Sequence, residues 1–190
     1  MSLKDVFIVR EMGRPIKGAS ADDRVIFSDV KMDKLLDFDY TKQKVGLKPG
    51  GVWYSIGDEW ADLISGEYPD WAPRYSFVHR ITVDDSKFLK MSTLDELVKF
   101  TEKYQDPDPY RNALDTKFVD WAHVAEDYAG IEVNPYIPAA RYDRRTLWYG
   151  GWDVASGCVW DINLIKSVEF LGEMSDDDWR NVGSDEYVEN

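Results

Sequence analysis

The predicted fold depends most on one stretch, residues 121–133, which has the sequence WAHVAEDYAGIEV. Apolar side chains recur at helical spacing over its first eight residues, which indicates an amphipathic helix from Trp121 to Tyr128. Asp120 is placed to cap the start of this helix. Gly130 is expected to end it in a left-handed conformation. The stretch therefore begins with one helix whose apolar face must be buried.

A strand and an aromatic segment follow this helix. Residues 131–133 are predicted to form a buried strand, which ends at Asn134-Pro135 because proline cannot continue a central ladder. Residues 147–160 have the sequence LWYGGWDVASGCVW, with one acid, Asp153, in the middle. This segment has more aromatic and glycine residues than a core needs. We therefore predict that it forms the wall of a pocket.

Working outward, other runs of the chain predict a mixed fold. Thr93 and Glu96 have capping-box spacing, which indicates a second main helix from this point, and a turn of helix is expected around residues 59–65. The helices and strands do not alternate as in βαβ units, so the sequence predicts an α+β fold with mostly antiparallel strands. Further strands are predicted at residues 6–9, 24–29, 52–56, 75–83, 88–91 and 167–171.

Length and charge limit the classes of function. The chain has 190 residues, which fits one globular domain over residues 1–171 with an acidic tail over residues 172–190. Its formal net charge of −13 repels phosphate backbones, so non-specific nucleic-acid binding is not expected. No apolar run approaches the roughly 20 residues of a membrane helix. The single cysteine agrees with a reducing compartment. We therefore expect a cytoplasmic protein with no membrane partner.

The histidines and the cysteine do not predict a metal site. His79 lies inside a predicted strand, and His123 lies on the predicted helix four residues before Asp127. Two separated histidines and one cysteine do not make a zinc set. We interpret the histidines as surface-paired or satisfied core residues, and Cys158 as a small buried hydrophobe.

A basic cluster leaves two interpretations open. Arg141, Arg144 and Arg145 lie in the linker that precedes Leu147. The first interpretation is a solvated loop. The second is that these arginines receive a diphosphate or an acidic partner.

Residues 48–55, with the sequence KPGGVWYS, are a second candidate for the pocket. One interpretation is a tight turn followed by a core strand. In the other, glycine brings the backbone close to a ligand while Trp53, Tyr54 and Ser55 offer a stacking face and hydroxyl groups. The second interpretation predicts that this block and residues 147–160 meet around one ligand.

The order of these segments resembles the ADP-ribosyltransferase fold of diphtheria-toxin-like and related enzymes, which bind NAD in a cleft between two small sheets. In that superfamily an early strand ends in His or Arg, a later strand carries an aromatic–hydroxyl motif, and a carboxylate near the C-terminus completes the triad. The matching positions here are Ser28 or Asp29, then residues 53–55, then Asp153 or the strand at residues 156–160. The chain also resembles a set of uncharacterised bacterial and phage proteins through residues 48–55, 121–136 and 148–160.

The resemblance implies two small packed sheets, two main helices and NAD as the substrate, with no metal. ADP-ribose would be transferred to a macromolecule such as a protein. Breaking the nicotinamide–ribose bond passes through an oxocarbenium-like state, which a fixed carboxylate stabilises. The implied catalytic residues are Asp153, Tyr54 and Ser55, and the implied nucleotide-binding residues are Trp53, Ser28, Asn134, Tyr136 and Ser156.

Other interpretations of these residues stay open. Asp153 is also in a position to cap a nearby backbone amide in a turn. Asn134 and Tyr136 follow a buried strand, where they either face a cleft or form a simple turn. For the whole chain, the alternatives are a non-catalytic binding or accessory protein that keeps the fold, and a hydrolase acting on a small sugar-containing ligand.

Overall fold

A seven-stranded sheet forms the centre of the computed structural model, which describes residues 19–32, 42–108 and 117–182. A separate two-stranded ribbon pairs β2 with β6. The strands in chain order are β1 (Arg24–Ser28), β2 (Val45–Gly46), β3 (Val52–Ile56), β4 (Phe77–Val83), β5 (Phe88–Met91), β6 (Val119–Asp120), β7 (Gly130–Val133), β8 (Ser156–Val159) and β9 (Ile165–Glu173). The strand predicted at residues 6–9 lies outside the described residues.

The large sheet has the strand order β5-β7-β8-β3-β1-β4-β9. All its neighbouring pairs are antiparallel except β5 and β7, which run parallel. The predicted α+β class with mostly antiparallel strands is therefore confirmed. The prediction of two small packed sheets is wrong, because β3 pairs with β1 along one edge and with β8 along the other. Strand β3 thus joins both halves into one continuous sheet.

Several helices accompany the sheet. None of those that the structure describes has the length and apolar composition needed to cross a membrane. The α-helices are α1 (Glu59–Glu67), α2 (Leu94–Tyr104), α3 (Trp121–Asp127), α4 (Pro138–Arg141) and α5 (Asp176–Asn181), and 3-10 turns occupy Pro69–Tyr75, Leu147–Gly151 and Ile162–Leu164.

Helix α2 begins as its sequence predicts. The Thr93 hydroxyl accepts a hydrogen bond from the Glu96 amide at 3.3 Å, and the Glu96 carboxylate accepts one from the Thr93 amide at 3.0 Å. This capping box satisfies two amides that would otherwise lack helical partners. The helix then buries Leu97, Phe100 and Tyr104 against the core.

The predicted start of α3 is confirmed, but its predicted end is wrong. The Asp120 carboxylate accepts a hydrogen bond from the His123 amide at 3.3 Å. The helix stops at Asp127, and Tyr128 is already extended. Gly130 is the first residue of β7 rather than a left-handed helix end. A Cβ there would lie 2.6 Å from the Phe88 ring, so this glycine permits the close approach of β5 to β7.

The helices pack against one face of the large sheet in two clusters. The first cluster joins α2, α3 and α4 to β5, β7 and β8, and contains the buried Trp121, Trp148 and Trp160. The second joins α1 and α5 to β1 and β4. Register places Val25 opposite Ser55, and Ser55 opposite Ser156, on this same face. Strands β1, β3 and β8 therefore lie beneath the boundary between the two clusters.

The structure describes residues 172–182 of the predicted acidic tail, and these include the end of β9 and the helix α5. The boundary expected after residue 171 falls inside β9, where Gly172 pairs with Val78. Ser175 and Asp178 form a capping box at the start of α5. The Trp179 side chain on this helix is buried and lies 6.2 Å from the Phe27 ring.

Candidate functional site

A pocket of about 210 Å³ lies against the sheet between the two helical clusters. Residues from β1 and β3 form its base, Trp60 and Tyr75 come from the second cluster, and Trp152 comes from the first. We call it the tryptophan pocket. Its lining residues are Val25, Ile26, Phe27, Lys48, Trp53, Tyr54, Ser55, Trp60, Tyr75, Trp152, Asp153, Val154 and Ser156.

The structure brings two predicted segments together at this pocket. Strands β3 and β8 are hydrogen-bonded neighbours, with Trp53 opposite Cys158 and Ser55 opposite Ser156. This pairing is the physical reason that segments far apart in the chain share one concave surface. Of the eight predicted site residues, the pocket is lined by Trp53, Tyr54, Ser55, Asp153 and Ser156. Their roles stay predictions.

The two serines present oxygen acceptors to the pocket. The Ser55 hydroxyl donates to the Val25 carbonyl at 3.3 Å, and the Ser156 hydroxyl donates to the Val154 carbonyl at 2.9 Å. Each hydroxyl has one hydrogen, so both are already used as donors. A ligand that reaches these side chains therefore has to donate to them.

Aromatic rings form the walls. The Trp53 and Trp152 rings meet edge to face with centroids 4.9 Å apart, and Trp60 meets Tyr75 in the same manner at 5.6 Å. Trp152 also stacks on Tyr149, with centroids 5.5 Å apart. The Trp152 side chain is only 1% exposed. Trp152 is therefore fixed by its contacts with Trp53 and Tyr149, and the wall has a fixed shape.

Charged side chains gather at Asp153. An Arg141 guanidinium nitrogen lies 3.3 Å from an Asp153 carboxylate oxygen. The Lys48 ammonium lies 5.1 Å from the centroid of the Trp53 ring and interacts electrostatically with the same carboxylate. Burial lowers the pKa of Lys48, and the charge of Asp153 only partly opposes this effect. A Cβ on Gly151 would lie 3.2 Å from the Lys48 Cε, so this glycine gives the lysine room.

Tyr54 borders the pocket, but its hydroxyl lies on the opposite face of the sheet. Successive side chains of a strand point to opposite faces, so Tyr54 alternates with Trp53 and Ser55. The Tyr54 hydroxyl donates to the Glu132 carboxylate at 2.7 Å. Burial, followed by the charge of Glu132, raises the pKa of Tyr54. This hydroxyl is engaged in a buried network away from Asp153.

Three predicted site residues do not line the pocket. Ser28 alternates to the face opposite Phe27, and its hydroxyl donates to the Val30 carbonyl at 2.6 Å. Asn134 is exposed after the end of β7, beyond β8 from the pocket. Tyr136 stacks on Tyr149 with centroids 5.7 Å apart, so it lies behind the wall rather than in it.

Part of the predicted aromatic wall is core. Trp148 and Tyr149 are fully buried, and the Trp148 indole donates to the Thr101 hydroxyl at 2.7 Å. The Trp160 indole donates to the Tyr128 carbonyl at 2.8 Å. From residues 147–160, only Trp152, Asp153, Val154 and Ser156 line the pocket. The prediction that residues 147–160 form the wall of a pocket is therefore wrong for Trp148, Tyr149 and Trp160, which are part of the core.

The glycines before β3 serve the sheet and the turn that precedes it. A Cβ on Gly51 would lie 2.6 Å from the Cys158 sulfur, so this glycine lets β3 start tightly against β8. The Gln43 side-chain amide accepts from the Gly50 amide at 2.9 Å and donates to its carbonyl at 2.8 Å. These bonds fix the turn that carries Lys48 to the pocket.

Sequence reasoning missed other contributors. Trp60, on α1, and Tyr75, at the end of the turn Pro69–Tyr75, also line the pocket, and no sequence pattern singled them out. The Glu59 carboxylate accepts from the Ala155 amide at 2.6 Å and so holds the segment that leads into β8. Burial raises the pKa of Glu59. Lys48 lies in the block of residues 48–55 that the sequence analysis selected, so its place in the block could have indicated that it lines the pocket.

The described residues contain no group of three or more His, Cys, Asp and Glu side chains that could hold a metal ion. Cys158 lies opposite Trp53 on the neighbouring strand β8, and burial raises the pKa of its thiol well above the usual value. The thiol is therefore not placed for nucleophilic chemistry at neutral pH.

A scan of the chain against protein-family models found no match, and searches of curated proteins and of solved structures found none either.

Proposed function

We propose that this chain binds NAD or a related nucleotide by taking one planar ring of it into the tryptophan pocket. One observation supports this above the others. Indole rings, two acceptor hydroxyls and one carboxylate, from segments that are distant in sequence, surround a single hollow. Aromatic walls with a few placed polar groups are typical of small-molecule sites.

The size of the pocket favours one ring system. Its volume of about 210 Å³ is below the roughly 300–1,000 Å³ that is usual for sites enclosing a whole drug-sized ligand. A nicotinamide or a base would enter, and the sugar and phosphates would lie at the opening. The partly exposed rings of Trp53 and Trp60 would contact the ligand ring by stacking or edge-to-face packing, and the buried Trp152 would hold Trp53 in place.

The serine oxygens favour a ring that carries N–H donors. Ser55 and Ser156 already donate to backbone carbonyls, so both accept from a ligand. The carboxamide of nicotinamide and the amino group of adenine are donors of this kind. A ring without such a group would leave buried serine oxygens without a partner, which reduces affinity.

The position of Asp153 supports a second candidate function, cleavage of NAD as in ADP-ribosyltransfer. In that reaction the bond between nicotinamide and ribose breaks, and nicotinamide leaves with the electron pair. An acceptor group attacks the sugar carbon and releases its proton to water. A carboxylate at the pocket rim would stabilise the positive charge that develops on the ribose. The Arg141 ion pair weakens this effect, since it partly neutralises the carboxylate, and it favours binding without cleavage.

Binding is tested by calorimetry and tryptophan fluorescence with NAD, ADP-ribose and nicotinamide. At a free ligand concentration of 100 Kd, the free energy of unfolding should rise by about 2.7 kcal/mol. The Trp53→Leu variant should lose binding. Trp71→Leu is the matched control, because Trp71 is 43% exposed and lies outside the pocket. Failure of all three ligands to bind would reject the proposal.

Cleavage is tested by measuring release of nicotinamide from NAD. Asp153→Asn should abolish release while NAD still binds, and Asp22→Asn, an exposed acid outside the pocket, should leave release unchanged. Absence of release by the wild-type protein, with NAD bound, would leave binding without cleavage as the function.

A further inference from the structure

The side of the tryptophan pocket that contains Asp153 has more positive than negative side chains, in a chain whose formal net charge is −13. Lys48 lines the pocket, and Arg141 forms an ion pair with a lining residue, Asp153. Two cations therefore share one carboxylate. The nearby Glu59 carboxylate is occupied by the Ala155 amide and does not line the pocket.

Lys48 is held in place but is incompletely neutralised. Its ammonium lies over the Trp53 ring at 5.1 Å, which orients the side chain along the pocket wall. Its pKa is lowered by burial despite the charge of Asp153. A cation that one carboxylate does not fully compensate gains from a second anion nearby.

Arg141 also keeps the capacity to bind an anion. Its contact with Asp153 joins one nitrogen to one oxygen at 3.3 Å. The guanidinium also interacts with the Tyr136 hydroxyl and lies 5.8 Å from the centroid of the Tyr142 ring. It carries five N–H donors, which is more than these contacts use. The Arg141 side chain is 32% exposed, so solvent and ligands reach it. The planar guanidinium matches two oxygens of a phosphate.

We propose that Lys48 and Arg141 bind a phosphate group attached to the ring that occupies the tryptophan pocket, and that Asp153 holds the two cations at the opening until the phosphate arrives. This inference rests on the proposed ring-binding function and adds selectivity for nucleotides over nucleosides. The basic linker thus contributes Arg141 to the site, while Arg145 is already paired with Asp143 at 2.7 Å.

The experiment compares ligands that differ only in the phosphate. Calorimetry is performed with nicotinamide mononucleotide against nicotinamide riboside, and with AMP against adenosine. In the pair that binds, the nucleotide should bind about tenfold more tightly than its nucleoside, since charge-assisted hydrogen bonds contribute roughly this factor. This preference should decrease as salt concentration rises.

Variants assign the preference to residues. Lys48→Met and Arg141→Met should each reduce the preference for phosphate and leave nucleoside affinity unchanged. Lys44→Met and Arg145→Met are matched controls that should keep it. Asp153→Asn should bind the phosphorylated ligand more tightly, because it removes a competing anion.

Two results separate the proposals. Equal affinity for the nucleotide and its nucleoside, or equal loss of preference in the controls, would overturn the phosphate inference while ring binding stands. Failure of every ligand to bind would overturn both. If a lysine or arginine variant does not fold, the salt dependence of the wild-type preference still decides the question.

Discussion

The indole rings of Trp53 and Trp152 meet edge to face, with centroids 4.9 Å apart and ring planes at 72°. Trp53 belongs to β3, and Trp152 directly follows the 3-10 turn Leu147–Gly151. Tyr149 also stacks on Trp152, with ring centroids 5.5 Å apart. This contact joins the central strand to the first helical cluster and closes one side of the tryptophan pocket.

Trp152→Ala is therefore expected to destabilise the fold by about 3–5 kcal/mol, because it removes a fully buried ring and leaves a cavity. Trp71→Ala should cost much less, because Trp71 is 43% exposed. Urea unfolding of the two variants measures the difference. Equal losses would show that the Trp152 ring does not support the wall.

The Arg24–Glu132–Tyr54 network gives a second expectation. Glu132 is 8% exposed and accepts from Arg24 at 2.7 Å and from Tyr54 at 2.7 Å. Arg24→Met would leave the Glu132 carboxylate buried without the arginine that compensates its charge, which costs about 3–5 kcal/mol of stability. Adding Glu132→Gln should recover part of this loss, because the uncompensated charge is gone. Urea unfolding of the single and double variants tests this. A double variant less stable than Arg24→Met would contradict it.

Local patterns predicted much of this fold. The start of α2 depends on Thr93 and Glu96, which are three residues apart, and the start of α3 depends on Asp120 and His123. The antiparallel character follows from short strands without βαβ alternation. These features are set by near neighbours in the chain, which is why the sequence indicates them.

The rest depends on distant partners that no local pattern contains. Trp148 and Trp152 are four residues apart, yet the first is core and only the second lines the pocket. The Tyr54 hydroxyl finds Glu132 on the far face of the sheet. The continuity of the sheet through β3 is equally non-local, so the sequence could not distinguish one large sheet from two small ones.

The capping box of α2 should be measurable. Thr93→Ala removes the side-chain oxygen that accepts from the Glu96 amide, and should cost about 1 kcal/mol. Thr93→Ser keeps that oxygen and should cost little. Thermal unfolding of both variants gives the comparison. A serine variant as unstable as the alanine variant would indicate that the methyl group, rather than the cap, is responsible.

Gly130 and Gly66 should respond oppositely to alanine. A Cβ on Gly130 would lie 2.6 Å from the Phe88 ring, so Gly130→Ala should destabilise by about 1–3 kcal/mol. Phe88→Leu in the same chain should relieve part of that clash. Gly66 lies in α1 with nothing within 4 Å of its Cβ position, so Gly66→Ala should stabilise by about 0.4–1 kcal/mol. Chemical denaturation measures each, and a stabilising Gly130→Ala would refute the close approach.

The Asp143–Arg145 pair sets an expectation for acid. The Arg145 guanidinium donates to Asp143 at 3.0 and 2.7 Å and its amide does so at 2.8 Å. These bonds lower the pKa of Asp143 from its usual 3.8 to about 2. Because the folded pKa lies below the unfolded one, the ionised carboxylate stabilises the fold above pH 3.8, and this contribution is lost as pH falls towards 2.

Asp143→Asn should therefore have a lower thermal midpoint than the wild type at pH 7, and the gap should close between pH 3.8 and about 2. Arg145→Gln should behave in the same way, because it removes the donors that hold the carboxylate ionised. Arg180→Gln is the control, since Arg180 pairs with Asp177 within α5, away from the loop that holds Asp143. Thermal scans across this pH range provide the measurement. A gap that persists unchanged at pH 2 would mean that Asp143 stabilises the loop by packing, and that its ionisation is irrelevant to the fold.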